Sequence, residues 1–211
     1  MEPGDRIALA ALLLSLFTLG WQVRNAIEGP DLKLLSFKDR VVELRCIGRS
    51  ADCWDEGGAP MSIIVPIFAV NTGAAGYNEV IGRATVEIEA EGMAPIHLVA
   101  HYTWVGTESG GSDGKPFAPI PVSGLSAAGA EYRFLAFTPE NAVPWSSFVG
   151  RLTDGPVDTL RVTLTIRLVV EAKPDSRTCT LTIADRHRAL LDRIRSQNGK
   201  PYLSMICDDL G

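Results

Sequence analysis

The first feature along the chain is an apolar run at residues 7–23, which read IALAALLLSLFTLGWQV. Arg6 precedes the run and Arg24 follows it. At about 1.5 Å per residue, a helix of this length reaches about 26 Å, a little less than the roughly 30 Å of a bilayer's hydrocarbon core. Trp21 falls where an interfacial aromatic side chain would anchor the helix end. The run therefore predicts a single-pass transmembrane anchor within residues 1–24.

Two other interpretations of this run fit the sequence less well. A cleaved secretory signal would begin with a positive segment, but Glu2 and Asp5 stand against Arg6, and no good small-residue cleavage site follows. A buried core helix is the second alternative. A helix that is apolar all round fits poorly on the surface of a domain of this size.

Beyond a linker at residues 25–31, apolar and polar residues alternate with a period of two. Leu160, Val162, Leu164 and the following even-numbered residues to 170 are apolar, whereas Arg161 and most odd-numbered residues are polar. Such alternation is typical of half-buried antiparallel strands. Further strands are predicted at residues 32–37, 42–46, 62–70, 86–89, 96–104, 117–122, 131–137, 179–183 and 202–207.

One segment breaks the alternation. In residues 185–197, DRHRALLDRIRSQ, the apolar residues recur at helical spacing, and Asn198-Gly199 and Pro201 would end the helix. We therefore predict a mainly β domain over residues 32–211, an immunoglobulin-like antiparallel β-sandwich with one C-terminal amphipathic helix near residues 184–198. Closure of the sheet into a barrel is the alternative.

Two segments carry a resemblance to known proteins. Residues 64–88, IVPIFAVNTGAAGYNEVIGRATVEI, and residues 120–139, IPVSGLSAAGAEYRFLAFTP, each contain a strand, a small-residue turn and a second strand. Over about a third of the chain, they resemble bacterial single-pass membrane-anchored proteins with a small immunoglobulin-like domain of undefined function. The resemblance implies a sandwich and transfers no catalytic residue.

The four cysteines change the prediction of where the domain lies. Cys46, Cys53, Cys179 and Cys207 are even in number, which suits disulfides in an oxidising compartment. We favour Cys46–Cys53 and Cys179–Cys207 among the three connectivities; four reduced thiols are the alternative. The disulfides favour an extracytoplasmic domain, periplasmic or extracellular, although the bias of Lys and Arg around the helix favours the cytoplasm. A net charge of −5 without a basic cluster argues against a nucleic-acid partner.

The candidate chemistry is sparse, and no catalytic, cofactor-binding or metal site is predicted. His97 and His101 share a face, so they are the residues around which a metal-dependent or hydrolytic site would form. The segment looks extended and lacks the second-position glutamate of a helical zinc-protease motif. Glu87, Glu89 and Glu91 form an acidic row that is best interpreted as a solvated sheet face.

We therefore predict a non-enzymatic binding or assembly module of the cell envelope, tethered to the membrane and recognising a protein partner. The alternatives are an enzyme with a site near His97 and His101, and a structural subunit of an envelope complex. Recognition would use loops, above all residues 106–114 and 46–60, or strand addition at an open edge. Trp54 and Trp145 are candidate exposed anchors.

Overall fold

The structure is mainly β, with 47% strand and 25% helix, and its strands pair antiparallel throughout, consistent with a β-sandwich. The computed structural model describes residues 3–28, 31–35, 39–73, 78–104, 115–135, 143–155, 157–169, 174–197, 199 and 201–209. The immunoglobulin-like subtype stays a prediction.

The described residues form three helices and twelve strands. The helices are α1 (Pro3–Glu28), α2 (Trp145–Asp154) and α3 (Asp185–Ser196). The strands are β1 (Leu32–Leu34), β2 (Val41–Cys46), β3 (Met61–Asn71), β4 (Asn78–Glu89), β5 (Ile96–Trp104), β6 (Lys115–Pro116), β7 (Ile120–Ser123), β8 (Ser126–Leu135), β9 (Thr159–Leu168), β10 (Asp175–Thr182), β11 (Tyr202–Ile206) and β12 (Asp208–Asp209). The predicted strand at residues 117–122 is wrong at its start, since Phe117 lies between β6 and β7.

The strands follow one hydrogen-bonded order, β11-β2-β3-β8-β5-β4-β9-β10-β12, with β1 on β3, β6 on β5 and β7 on β4. Only Cys207 separates β11 from β12, so this last segment connects the two ends of the order. Cys207 also exchanges backbone hydrogen bonds with the segment before β2, at Asp39 and Arg40. The segment thereby limits the open edge that strand addition would require.

The core forms where the alternating apolar residues point inward. Leu160, Val162, Leu164 and Ile166 of β9 are each 0% exposed, as the period of two predicts. Burial of each such side chain contributes about 1.5–3 kcal/mol relative to exposure. The central strand β9 pairs with β4 on one side and β10 on the other, so the clearest sequence pattern lies in the interior of the sheet.

The helix α2 was not predicted from the sequence. Its buried residues Trp145, Phe148, Val149 and Leu152 follow the spacing of an amphipathic helix, and Pro144 immediately precedes it. This helical spacing is present in the sequence, but it extends over only ten residues, and Trp145 was predicted to be an exposed anchor. The predicted C-terminal helix is confirmed as α3, one residue shorter at its end.

The helix α1 carries its apolar side chains on the surface. Ile7, Leu14 and Phe17 are about 70% exposed, at 73%, 70% and 69%. No helix within the described residues has the combined length and hydropathy needed to cross a membrane. The single-pass anchor therefore stays a prediction.

Both favoured disulfides are confirmed. Cys46 joins Cys53 across a separation of 7 residues, and Cys179 joins Cys207 across 28. All four cysteines are buried, with at most 2% exposure. The second disulfide links β10 to the segment between β11 and β12, so it holds the two ends of the strand order together.

Candidate functional site

The two histidines of β5 lie on the outer face of the sheet. The His97 side chain is 67% exposed, and its Nδ1 lies 3.8 Å from an Oε1 of Glu87 on the neighbouring strand. His101 is half-buried and four residues along the strand, a separation of about 13 Å. Among the described residues, no group of three metal-ligating side chains comes together.

The acidic row of β4 borders a shallow cleft. Glu89 and Glu91 line it together with Arg161 of β9, and the cleft encloses about 310 Å³. An Nη1 of Arg161 lies 3.7 Å from an Oε2 of Glu89. The remaining lining is provided by Ala90, Thr159 and Thr180. The cleft is polar and open, and the charges of Arg161 and Glu89 within it neutralise each other. It therefore resembles an ordinary solvated sheet face with room for a polar ligand.

The predicted recognition loop at residues 46–60 is fastened to α2 rather than free. The Ser146 hydroxyl donates to the carbonyl of Asp55 at 2.8 Å, and the Trp145 backbone N–H donates to Ala59 at 3.0 Å. Trp54 is half-buried, and its Nε1 donates to the carbonyl of Gly199 at 3.2 Å. The other predicted loop, residues 106–114, lies outside the described residues.

The prediction of Trp145 as an exposed anchor is wrong. Its side chain is 0% exposed, and its ring centroid lies 6.1 Å from that of Phe148. A single tryptophan in a sequence does not show whether it is exposed, but the helical spacing of Trp145 with its apolar neighbours places it in the core. Its indole Nε1 is buried without a hydrogen-bond partner.

The start of α3 depends on a histidine that is absent from the predicted sites. The backbone N–H of Ala184 donates to Nδ1 of His187 at 3.1 Å. Burial, and then the neighbouring positive charge of Arg186, lower the pKa of His187 below its usual 6.5. The neutral imidazole is the form that can accept this hydrogen bond, so His187 acts as part of the helix N-terminal cap.

The opposite end of the domain, next to α1, is held by polar contacts. Oδ1 of Asn71 accepts hydrogen bonds from the backbone N–H groups of Asp31 and Gly73, and its Nδ2 donates to Val122 at 3.1 Å. The carboxylate of Asp31 accepts from Lys33 and Thr72, whose hydrogen bonds lower the pKa of Asp31. These contacts fix the first residues of β1 against the end of β3.

A buried carboxylate lies at the same end. Glu79 of β4 is 1% exposed, and an Oε2 accepts from the backbone N–H of Val80 at 3.3 Å. Its register partner is Val122 of β7, so it faces the core beside Asn71. The burial of Glu79 could not be predicted from the sequence, because a single glutamate before two apolar residues has no pattern that indicates burial.

Comparisons with known proteins add little to this geometry. No family model matches the chain, and no curated protein matches it. One solved structure to which the chain is similar is described as a protein from Archaeoglobus fulgidus, at 12% identity and a TM-score of 0.34. The alignment covers 74% of this chain and 97% of that one.

Proposed function

We propose that this protein is a membrane-tethered, non-enzymatic binding or assembly module of the cell envelope, in which α1 is the single-pass anchor. The observation that carries the proposal is the apolar surface of α1. Its side chains from Leu9 to Val23 are all exposed, and the exposed positions include Leu12, Leu13, Leu16 and Leu19. Contiguous apolar surface of this kind marks contact with lipid or protein.

The two disulfides support placing the domain outside the cytoplasm. Disulfides persist in oxidising compartments and are rare where glutathione and thioredoxin keep thiols reduced. Cys179–Cys207 links β10 to the C-terminal segment 28 residues later in the chain. A domain stabilised in this way suits the periplasm or the cell exterior.

The anchor is tested by fractionating cells that express the full chain. We expect it in the membrane pellet, resistant to alkaline carbonate. Leu12→Lys plus Leu16→Lys should release it, because each charge at the centre of a spanning helix costs about 3 kcal/mol. Leu12→Ile plus Leu16→Ile is the matched control and should stay in the pellet. Full-length protein in the supernatant without detergent would contradict the anchor.

The side of the membrane and the enzymatic alternative need separate measurements. Thiol labelling of intact cells should require a reductant and no membrane disruption, because all four cysteines are paired. Free thiols that react only after lysis would place the domain in the cytoplasm. His97→Ala plus His101→Ala should leave recovery of a partner unchanged. Loss of a function with the fold intact would favour the enzyme.

A further inference from the structure

One end of the domain lies close to α1, and we call it the proximal end. It contains residues 71–73, 78–80, 123–126 and 168–169. The backbone N–H of Thr72 donates to the carbonyl of Asp31 at 2.8 Å, and Asn71 pairs with Ser126. Asn78 pairs with Ser123, which places these strand ends side by side.

The connection between this end and α1 is short. Helix α1 ends at Glu28 and β1 begins at Leu32, so only residues 29–31 lie between them. A fully extended chain of that length spans at most about 14 Å. Whatever surface holds the C-terminal end of α1 therefore also lies near the proximal end.

Two apolar side chains project from the proximal end. Leu125, at the turn between β7 and β8, is 71% exposed and has a φ of 59°. Glycine or asparagine adopts that left-handed conformation at lower cost, so a leucine there is not explained by the turn. Val169 is 64% exposed, and its side chain lies over Gly82, where an added Cβ would come within 2.7 Å of Val169 Cγ2.

Among the described residues, two exposed arginines lie close to Val169. Arg83 of β4 and Arg167 of β9 are register partners, both exposed, and Val169 follows on the same strand face. Two like charges directly opposite each other are unfavourable in an isolated sheet. The exposed carboxylate of Asp31 is matched by Lys33, whose Nζ lies 2.8 Å from it. An anionic surface would complement the two arginines.

The other end of the domain has a different charge pattern. Its exposed carboxylates, which lie among the arginines of α3, include Asp52, Asp55, Glu91, Asp158, Asp185 and Asp192. Exposed arginines at the same end, Arg49, Arg151, Arg186, Arg193 and Arg195, largely offset these carboxylates, so this end offers an anionic bilayer no uncompensated positive surface.

We propose that the proximal end docks on an anionic lipid bilayer, with Leu125 and Val169 entering the interface and Arg83 and Arg167 contacting headgroups. This inference rests on the proposed membrane attachment of α1. Anionic phospholipid attracts each nearby arginine by about 1 kcal/mol, which is about fivefold in the equilibrium between docked and undocked domains. The pair therefore favours docking by about 30-fold.

The test uses the full chain in vesicles of acyl-brominated phosphatidylcholine, with or without phosphatidylglycerol. A tryptophan introduced by Leu125→Trp reports contact with lipid through quenching. The control is Ser147→Trp, at an exposed position of α2 at the far end. Both variants are compared with the parent chain, because native Trp21 of α1 is itself quenched when α1 lies in the membrane. We expect Leu125→Trp to add quenching beyond that of the parent, most strongly with phosphatidylglycerol, and Ser147→Trp to add none. Arg83→Gln plus Arg167→Gln should weaken docking about 30-fold, whereas Arg193→Gln plus Arg195→Gln should not.

The outcomes separate the two proposals. If the chain resists carbonate extraction but Leu125→Trp is quenched no more than Ser147→Trp, the docking inference is wrong and the anchor stands. If quenching of Leu125→Trp is the same with and without phosphatidylglycerol, the assigned role of the arginines is wrong. If the chain does not sediment with the vesicles at all, the membrane attachment itself fails.

Discussion

The two disulfides should differ in their contribution to stability, because they close chain segments of different length. In the chain-entropy description, a cross-link restricts the unfolded state more when its loop is longer. The Cys179–Cys207 separation of 28 residues corresponds to about 3.6 kcal/mol at 25 °C. The Cys46–Cys53 separation of 7 residues corresponds to about 2.4 kcal/mol. We therefore expect a difference of about 1.2 kcal/mol between the paired alanine variants.

The comparison is clean because the two pairs are similarly buried. Each cysteine is at most 2% exposed, so both Cys→Ala pairs lose similar packing and the difference reports mainly on the loops. Urea unfolding of the full chain, followed by tryptophan fluorescence, to which buried Trp145 contributes, gives the free energy of unfolding of each variant. The parent with reductant should match the variant that lacks all four cysteines.

Equal destabilisation by the two pairs would refute this reasoning. A larger loss of stability from Cys46→Ala plus Cys53→Ala would refute it more strongly, because the shorter loop would then contribute more than the longer loop closed by Cys179–Cys207. The slope against urea should rise when a cross-link is removed, because the unfolded chain then exposes more surface.

The remaining predictions concern single positions. The pKa of His187 is lowered in the folded state, so its contribution to folding stability is complete above its usual pKa of 6.5 and is lost as the pH falls through the lower folded value. In His187→Gln, whose side chain still accepts from the backbone N–H of Ala184, we expect the free energy of unfolding to change less with pH over that range. His187→Ala should lose about 1 kcal/mol at neutral pH in the same measurement. Leu125→Gly should stabilise by about 0.5–1 kcal/mol in urea unfolding, since it relieves a left-handed leucine. Leu164→Ala should destabilise by about 2–5 kcal/mol through the cavity it leaves, measured as a lower midpoint.

Much of the sheet was predictable because strand signals are local. The alternation at residues 160–168 depends only on neighbouring side chains pointing to opposite faces, so β9 was predicted within two residues of its observed ends. Strands β3 and β5 were predicted as apolar runs separated by turn signals, and β11 as the last strand after α3, each within one residue of its observed ends. The short strand β1 was predicted over residues 32–37, and its pairing with β3 ends at Leu34; residues 36 and 37 lie outside the described residues.

The candidate surfaces were less predictable, because they are made by pairs that are distant in the chain. Nothing in the sequence around Arg83 indicates that Arg167 lies opposite it, since the register of β4 and β9 sets that contact. Likewise, the burial of Glu79 follows from its position opposite Val122. The error over Trp145 has a related cause, since ten residues of helix gave too short a pattern to outweigh the strand signals around it.

The sequence by itself determined the apolar segment at the start, the alternating strands, the second helical pattern and the even number of cysteines. Each of these depends on the chemistry of adjacent residues and on the fixed periods of helix and strand. Only the tertiary structure decided which strands are neighbours, that Cys207 connects the two ends of the strand order, and which side chains lie at the end of the domain where β1 begins. Those features depend on loop closure and packing between residues far apart in the chain. The pattern of apolar and polar residues does not show which of these distant residues pair with each other.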